Sequence, residues 1–266
     1  MFRQLAADWR EIVREQIDYR ELLARMTARD LLIRYKQTIM GFGWAVFMPL
    51  VNTTVFSVIF MRVAPLQTAV PYPVFAFCGL WVWNFFASSL RFSVTSLTSN
   101  ANLVSKVYFP REIFPFSAVI VCLVDFAVGS VVLFGLMIYY QVPVGFSLLW
   151  LPVVMLVHVI FTAAVALLLS MANLFYRDVK YLFEVVVTVW MFATPVVYPI
   201  DAIGGTLGTI LRLNPMTPIV DAYRSVLLLR TPPGPEFAIA ALLSVVALLV
   251  SWRAFHRMEF QFAERI

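Results

Sequence analysis

Six long apolar segments constrain the fold of this chain more than any other feature of its sequence. They lie near residues 44–61, 73–90, 113–139, 147–172, 182–199 and 236–255. Each is close to the roughly 17–25 residues that an α-helix needs to cross the hydrocarbon of a bilayer. Backbone N–H and C=O groups find no partner in lipid, so such segments are predicted to be helices. The sequence therefore predicts an all-α integral membrane protein with six transmembrane helices.

The residues outside these segments cannot give the chain a soluble surface. Charged residues make up only 13% of the 266 residues, whereas hydrophobic residues make up 62%. An ordinary soluble domain has about a quarter of its residues charged. Residues 1–43 are too polar for the apolar region of a signal peptide, so we expect no cleaved leader. Cys78 and Cys122 both lie inside apolar segments, which predicts neither a disulfide framework nor a metal site.

The positions of the Lys and Arg residues predict the orientation in the membrane. With the N-terminus inside, sixteen of the twenty basic residues lie on the cytoplasmic side. The four that stay outside are Arg62, Arg212, Arg224 and Arg230. This bias follows the positive-inside rule and predicts cytoplasmic N- and C-termini, with residues 256–266 as a cytoplasmic tail. It also accounts for the net charge of +5 without a nucleic acid as partner.

The first 43 residues are predicted to be a cytoplasmic amphipathic segment that lies in the membrane interface. Apolar residues recur there at helical spacing among charged ones: Leu5, Trp9, Ile12, Val13 and Ile17. One apolar stripe on a charged helix suits the boundary between headgroups and acyl chains. The alternative is a helix that packs on a soluble partner.

The segment 200–235, before the last apolar segment, is only partly apolar. It contains Arg212, Asp221 and Arg224, and its helical pattern is broken at Asn214-Pro215 and at Pro218. We predict a pair of short re-entrant helices on the external side. A seventh crossing here would place the basic C-terminal tail outside, against the charge distribution.

Catalytic and metal-binding motifs are missing from the sequence. No glycine is followed by lysine, so there is no phosphate loop, and no HExxH, GxSxG or paired-cysteine motif occurs. We therefore expect no enzymatic activity, metal or cofactor in this chain, and nothing supports a membrane-embedded transferase. An ion-coupled carrier usually has several intramembrane ionisable groups, but the apolar segments contain few, mainly Asp125 and Glu184. Asp125 could face a pathway or make a helix–helix hydrogen bond. His158 is interpreted as a packing residue.

Aromatic residues are abundant, at 15% of the chain. Tyr72 and Tyr198 sit at segment ends, as in an interfacial belt, whereas Trp81, Trp83 and Trp190 lie deeper. Aromatic faces can stack on the apolar faces of sugar rings without selecting one sugar. The hypothesis is that a pathway lined by such residues would let a polysaccharide slide.

The loop 99–112 is predicted to be a short helix on the cytoplasmic side. Ser99 or Asn100 can cap it, and Pro110 ends it. Leu103, Val107 and Tyr108 would share one side and form an apolar contact for another protein. The alternative is an ordinary capped turn between two membrane helices.

These motifs together resemble the permease subunit of type-2 ABC exporters, in the branch that exports O-antigen, capsular or teichoic-acid polysaccharides. The matching motifs occur in order along the chain: 29–38, Gly41, Trp44, 49–50, 71–75, 79–80, Trp83, 85–86, 102–112, 176–179, 194–199 and 214–217. The resemblance implies a six-helix transmembrane domain, residues 44–255, in the bacterial inner membrane. It also implies a homodimer that binds two copies of a separate ATPase, which would hold the ATP and Mg²⁺.

The resemblance also assigns roles to individual residues. Contact with the ATPase is implied for Asn102, Leu103, Lys106, Val107, Tyr108, Pro110, Arg111 and Glu112. Channel-lining aromatic residues would be Tyr72, Trp81, Trp83, Phe85, Phe86, Trp190 and Tyr198, and a periplasmic gate would include Asn214, Pro215 and Arg224. Arg29, Arg34 and Lys36 could meet the pyrophosphate of a lipid-linked polysaccharide, or could simply anchor the chain on the inner side.

The motifs leave several functions open. O-antigen, capsule and teichoic acid are not separated by these signatures. A type-2 permease for a drug or small lipid is the nearer alternative, and the aromatic content and the motifs of the polysaccharide branch speak against it. A stand-alone channel or carrier is disfavoured by the predicted docking loop.

Overall fold

The computed structural model describes residues 14–36, 41, 43–63, 65–106, 109–200 and 203–262. Within these ranges every regular element is helical, which confirms the all-α prediction. The α-helices are α1 (Arg20–Tyr35), α2 (Gly43–Val58), α3 (Tyr72–Ser99), α4 (Ala101–Lys106), α5 (Ile113–Tyr139), α6 (Leu151–Phe175), α7 (Val179–Phe192), α8 (Gly205–Arg212), α9 (Met216–Arg224) and α10 (Pro235–Met258). Short π-helical turns extend α2 and α9, and short 3₁₀ turns precede α6 and follow α10.

Four helices in the described part of the chain are long and apolar enough to cross a membrane. They are Tyr72–Ser99, Ile113–Tyr139, Phe146–Phe175 and Pro235–Gln261. They coincide with the second, third, fourth and sixth predicted spans. The first predicted span corresponds to a shorter apolar helix, Val46–Arg62. The chain is thus a multi-pass membrane protein, but the count of six spans is not confirmed.

The fifth predicted span differs from the sequence-based expectation. Residues 182–199 do not form one helix, because α7 ends at Phe192 and the chain continues in turns through residue 199. The 14 residues of α7 rise about 21 Å, less than the roughly 30 Å of a hydrocarbon core. Pro195 has no backbone N–H to donate to the preceding turn and disfavours a helical backbone at Thr194, so it accounts for the break. Hydropathy averages over such a break and does not detect it.

Helix α3 lies at the centre of the bundle. Helices α5 and α6 pack along it, while α2, α7 and α9 contact it over shorter stretches. The main apolar core surrounds its fully buried side chains, among them Phe77, Phe86 and Leu90. Helix α10 packs on the outer side of α6. The bundle is therefore assembled in layers around one enclosed helix.

A second apolar core gathers distant parts of the chain at one end of the bundle. It joins Leu97 at the end of α3, Val104 of α4 and Phe255 of α10, with Leu22 of α1 packed against them. The start of α1, the loop 99–112 and the end of α10 therefore share one end. This is the arrangement that the charge distribution predicts for the cytoplasmic side.

Helix α1 packs along the first half of α5 instead of standing apart from the membrane helices. Ser117 donates to Asp30 at 2.9 Å, and Arg34 pairs with Asp125 further along. The two helices therefore run in the same direction. Four residues of the predicted interfacial stripe, Leu5, Trp9, Ile12 and Val13, lie outside the described residues, and the fifth, Ile17, is exposed.

Candidate functional site

The predicted docking helix is present as α4. Asn102, Ser105 and Lys106 are exposed, whereas Val104 is fully buried and Leu103 is half-buried. Positions 102, 105 and 106 share one helix face, so α4 rests on the second core and leaves a polar face free. Val107 and Tyr108, which belong to the predicted apolar contact, lie outside the described residues.

Asn100 joins three elements, but its side chain does not follow the predicted capping role. Its amide donates to the carbonyl of Ser96 at 2.8 Å, and its oxygen accepts from Arg29 at 3.0 Å. Only its backbone carbonyl serves α4, where it accepts from Leu103 and Val104. Asn100 therefore ties the end of α3 and the start of α4 to α1.

The end of the loop, Pro110–Glu112, is buried under α4. Arg111 is 8% exposed, and its guanidinium donates to the carbonyl of Val104 at 3.2 and 3.3 Å. It also donates to the carbonyl of Glu259 at 2.8 Å. Arg111 and Glu112 therefore hold the loop from inside the protomer.

Two of the three predicted phosphate-facing cations already have acidic partners. Arg29 lies 2.8 Å from Asp30, and Arg34 lies 2.7 Å from Asp125. Tyr35 donates to the same Asp125 carboxylate. Burial, and secondarily this hydrogen bond, raise the pKa of the Tyr35 hydroxyl, so it stays protonated as a donor. Lys36, the third cation, is exposed.

A cavity of 420 Å³ brings predicted residues of two kinds together. Arg34 and Tyr35 line it together with Asp125, and so do the predicted aromatic residues Trp81 and Phe85. The wall of this cavity therefore combines charged groups with aromatic rings. Asp125 makes helix–helix contacts and also borders this cavity, so the two roles considered for it are compatible.

Trp81 is held rigidly in the cavity wall. Its indole N–H donates to the carbonyl of Phe126 at 2.8 Å, and the two rings stack with centroids 3.8 Å apart. Gly129 lets the indole approach, because a Cβ there would lie 2.7 Å from Trp81 Cδ1. Phe85 packs on the same Phe126 ring at 5.2 Å.

Trp83, Phe86 and Trp190 pack inside the protomer. Trp83 and Phe86 are buried, and the ring of Trp190 meets theirs edge-on at 6.4 and 5.1 Å. Phe86 also stacks on Phe161. A channel-lining role for these three residues stays a prediction, and their contacts in the protomer are those of core residues.

Asn214 binds the broken end of the fifth apolar segment. Its amide donates to the carbonyl of Ala193 at 3.0 Å and to Thr194 Oγ1 at 2.8 Å. Its oxygen accepts from the indole of Trp190 at 2.9 Å and from the backbone N–H of Met216 at 3.1 Å. One side chain thus fixes α7 to the start of α9, where Pro215 is the N-terminal flanking residue.

Arg224 satisfies the carbonyls that the break leaves free. Its guanidinium donates to Pro195 and Val196 at 2.6 Å each and lies 3.7 Å above the ring of Phe75. Gly79 is required here, because a Cβ would overlap the carbonyl oxygen of Val196. Arg224 is only 4% exposed, so it acts as a buried support of the segment.

Two tyrosines complete the end of the bundle that lies opposite α4. Tyr72 is buried and donates to the carbonyl of Val197 at 2.7 Å, while Tyr198 donates to the carbonyl of Phe192 at 2.6 Å. The predicted gate residues and the motif 194–199 therefore form one hydrogen-bonded assembly. Sequence reasoning missed Gly79 and Phe75 as parts of it, although both lie within motifs that carry the resemblance.

Comparison with known proteins identifies the family to which this fold belongs. Residues 21–228, most of the chain, match the ABC-2 type transporter family. The chain belongs to the ABC-2 type transporter family. A relative from Myxococcus xanthus, the O-antigen export system permease protein RfbA, is 32% identical over 259 residues, or 96% of this chain and 99% of the relative. Two proteins of the same name from Klebsiella pneumoniae are 29% and 28% identical over 246 residues, or 92% of this chain and 94% of each relative. The resemblance drawn from the motifs is confirmed for this ABC-2 chain.

Proposed function

We propose that this ABC-2 chain is the channel-forming permease subunit of an ATP-driven exporter for a lipid-linked polysaccharide. O-antigen is the proposed class, with capsule or teichoic acid as alternatives. Two copies of the chain would pair in the bacterial inner membrane, with both termini in the cytoplasm, and bind two copies of a separate ATPase. ATP and Mg²⁺ would be held by that ATPase, while membrane lipid surrounds the permease.

The observation that carries this proposal is the full-length similarity to O-antigen export permeases. It covers 92–96% of the chain, so it includes the docking loop, the cavity wall and the external segment together. Similarity confined to the membrane helices would support only a shared fold.

The free face of α4 supports a docking role. Asn102, Ser105 and Lys106 face outward at the end of the bundle where α1 begins and α10 ends. In our proposal this face contacts the ATPase, and the buried residues Arg111 and Glu112 keep it in position. Because the loop leads directly into α5, a docking helix with a fixed base can transmit movement of the partner to α5.

The cavity beside α1 supports a substrate role. A diphosphate could displace Asp125 from Arg34, since a phosphate offers the guanidinium the same bidentate acceptor geometry as a carboxylate. Exposed Lys36 lies just beyond Arg34 in the sequence and would add a second cation. Sugar rings that follow the diphosphate would then meet Trp81 and Phe85. The cavity would thus offer cations to the diphosphate and aromatic rings to the sugars of a lipid-linked polysaccharide.

Gene deletion followed by fractionation tests the proposal. We expect the deletion strain to lose surface polysaccharide and to accumulate the lipid-linked form inside, and a plasmid copy should restore export. Polysaccharide at the wild-type level on the surface of the deletion strain contradicts the proposal. Normal surface polysaccharide together with accumulation of a different lipid or drug inside the cell would instead indicate the alternative class of permease.

A further inference from the structure

Three potential metal ligands meet where the loop 99–112 joins the end of α10. Glu112 immediately precedes α5, His256 lies in the last turn of α10, and Glu259 follows it. One ligand atom from each side chain lies within 4.8 Å of the other two. Glu112 is 1% exposed and Glu259 is 4% exposed, so both carboxylates are buried, while the His256 side chain is 19% exposed.

The spacing of these atoms matches a small coordination shell. His256 Nδ1 lies 3.3 Å from Glu112 Oε1 and 3.6 Å from Glu259 Oε1. Zinc bonds to histidine and carboxylate are about 2.0–2.2 Å long, which places tetrahedral ligand atoms roughly 3.3–3.6 Å apart. The three side chains could therefore bind one ion with little movement.

Two buried carboxylate oxygens at this site lack a hydrogen-bond donor. Among the described residues, neither Glu112 Oε2 nor Glu259 Oε2 has a hydrogen-bond partner. Arg111, the buried cation beside them, donates to the backbone carbonyls of Val104 and Glu259. Glu15 adds a further negative charge near His256. A buried carboxylate oxygen without a donor is costly, so the site favours an added cation.

We propose that Glu112, His256 and Glu259 form a binding site for a divalent transition-metal ion of the zinc class. One histidine with two carboxylates is a ligand set that suits such an ion, and water would fill the remaining position. The ion would cross-link the base of the docking loop to the end of α10, two segments 144 residues apart in the sequence. This inference concerns a structural site and does not rest on the transported substrate.

Metal titration of the purified full-length chain in nanodiscs tests the proposal. The protein should carry no polyhistidine tag, and it should be treated with EDTA and dialysed before Zn²⁺ is added. We expect one equivalent of Zn²⁺ per chain and a rise in unfolding temperature. Co²⁺ used as a probe should show the intense visible absorption of a tetrahedral site. Glu259→Gln and His256→Gln should each weaken Zn²⁺ binding by about tenfold or more.

The matched control is Glu236→Gln, which removes a carboxylate from the other end of the same helix. Its Zn²⁺ affinity should equal that of the unmodified chain. Absence of stoichiometric Zn²⁺ and Co²⁺ binding to the unmodified chain would overturn the proposal, and would leave the cluster as an ion pair held by a proton. The proposal is also overturned if Glu259→Gln and His256→Gln both bind Zn²⁺ as tightly as the unmodified chain. The titration of the unmodified chain decides the question even if a variant fails to fold.

Discussion

The guanidinium of Arg34, near the end of α1, lies 2.7 Å from the carboxylate of Asp125, in the middle of α5. Tyr35 donates to the same carboxylate, and the guanidinium lies 4.4 Å from the ring centroid of Phe92. Helix α1 is therefore joined to a membrane-spanning helix by a partly buried ion pair. It is an integral part of the bundle, and its position depends on a side chain in α5.

Asp125→Ala should destabilise the permease by roughly 1–3 kcal/mol, less than the loss of a fully buried pair because some solvent reaches both groups. The side chains of Arg34 and Asp125 are 27% and 15% exposed. Thermal unfolding in detergent measures the effect, and the double variant Arg34→Gln/Asp125→Asn should recover part of the loss. The control is Glu184→Ala, which removes an exposed pair with Arg91 and should cost less than about 1 kcal/mol. If Asp125→Ala and Glu184→Ala lower the stability equally, the structural role of the Arg34–Asp125 pair is wrong.

Lys106→Glu should weaken binding of the ATPase by about tenfold, equivalent to ~1.4 kcal/mol, because it reverses a charge on the free face of α4. Co-purification of the ATPase with the permease, followed by ATPase activity of the complex, measures this. Arg177→Glu reverses an exposed charge in the neighbouring loop and should leave binding unchanged. The docking role is wrong if both variants retain the ATPase equally.

Gly79→Ala should lower the free energy of unfolding by about 1–3 kcal/mol. The added methyl group overlaps the carbonyl oxygen of Val196 and forces the turns after α7 away from α3. The unfolding temperature and the export rate should both fall. Gly135→Ala is the matched control in another membrane helix, where a Cβ meets no atom within 4 Å. A Gly79→Ala protein as stable as the control would show that the contact between Gly79 and Val196 is loose.

Arg224→Met should destabilise the turns that follow α7, residues 193–199, by about 3 kcal/mol or more. The change removes two charge-assisted hydrogen bonds, each worth about 1.5–3 kcal/mol, and leaves the carbonyls of Pro195 and Val196 without these donors. Arg224→Lys should retain part of the stability, because an ammonium group can reach one carbonyl but not reproduce the planar fork. Arg230→Met, at an exposed position nearby, provides the control. Hydrogen exchange at residues 193–200 should rise only in the Arg224 variants.

Sequence reasoning succeeded where a local signal determines the structure. The long apolar runs predict α3, α5, α6 and α10 because lipid forces the backbone to satisfy its own hydrogen bonds. The break at Asn214-Pro215 and the short helix after Asn100 follow from local backbone chemistry. The predicted break at Pro218 is wrong, because Pro218 lies in the first turn of α9, where a proline is tolerated. The grouping of Asn214 with Arg224 was also expected, although their shared partner, the broken segment after Phe192, was not.

The missed features depend on contacts between distant residues. The Arg34–Asp125 pair and the cluster of Glu112, His256 and Glu259 join residues far apart in the chain, and no periodic pattern marks them. A hydropathy value also depends only on the type of residue, so it is the same for a side chain that faces lipid and one that packs in the protein core. It therefore cannot show that Trp81 borders a cavity and Trp83 does not, although both side chains are buried.

The enclosure of α3 bears on how such a protomer can change shape. Within its apolar stretch 83% of the residues are buried in the protein, against 33% for α5 and 22% for α10. A helix enclosed on all sides can neither rotate nor slide without disrupting close packing with several neighbours at once. We therefore expect α3 to move least when the protomer changes shape. In the proposed exporter, opening and closing of the transport pathway would fall to the outer helices, whose free faces could exchange lipid contacts for contacts with a second copy of the chain.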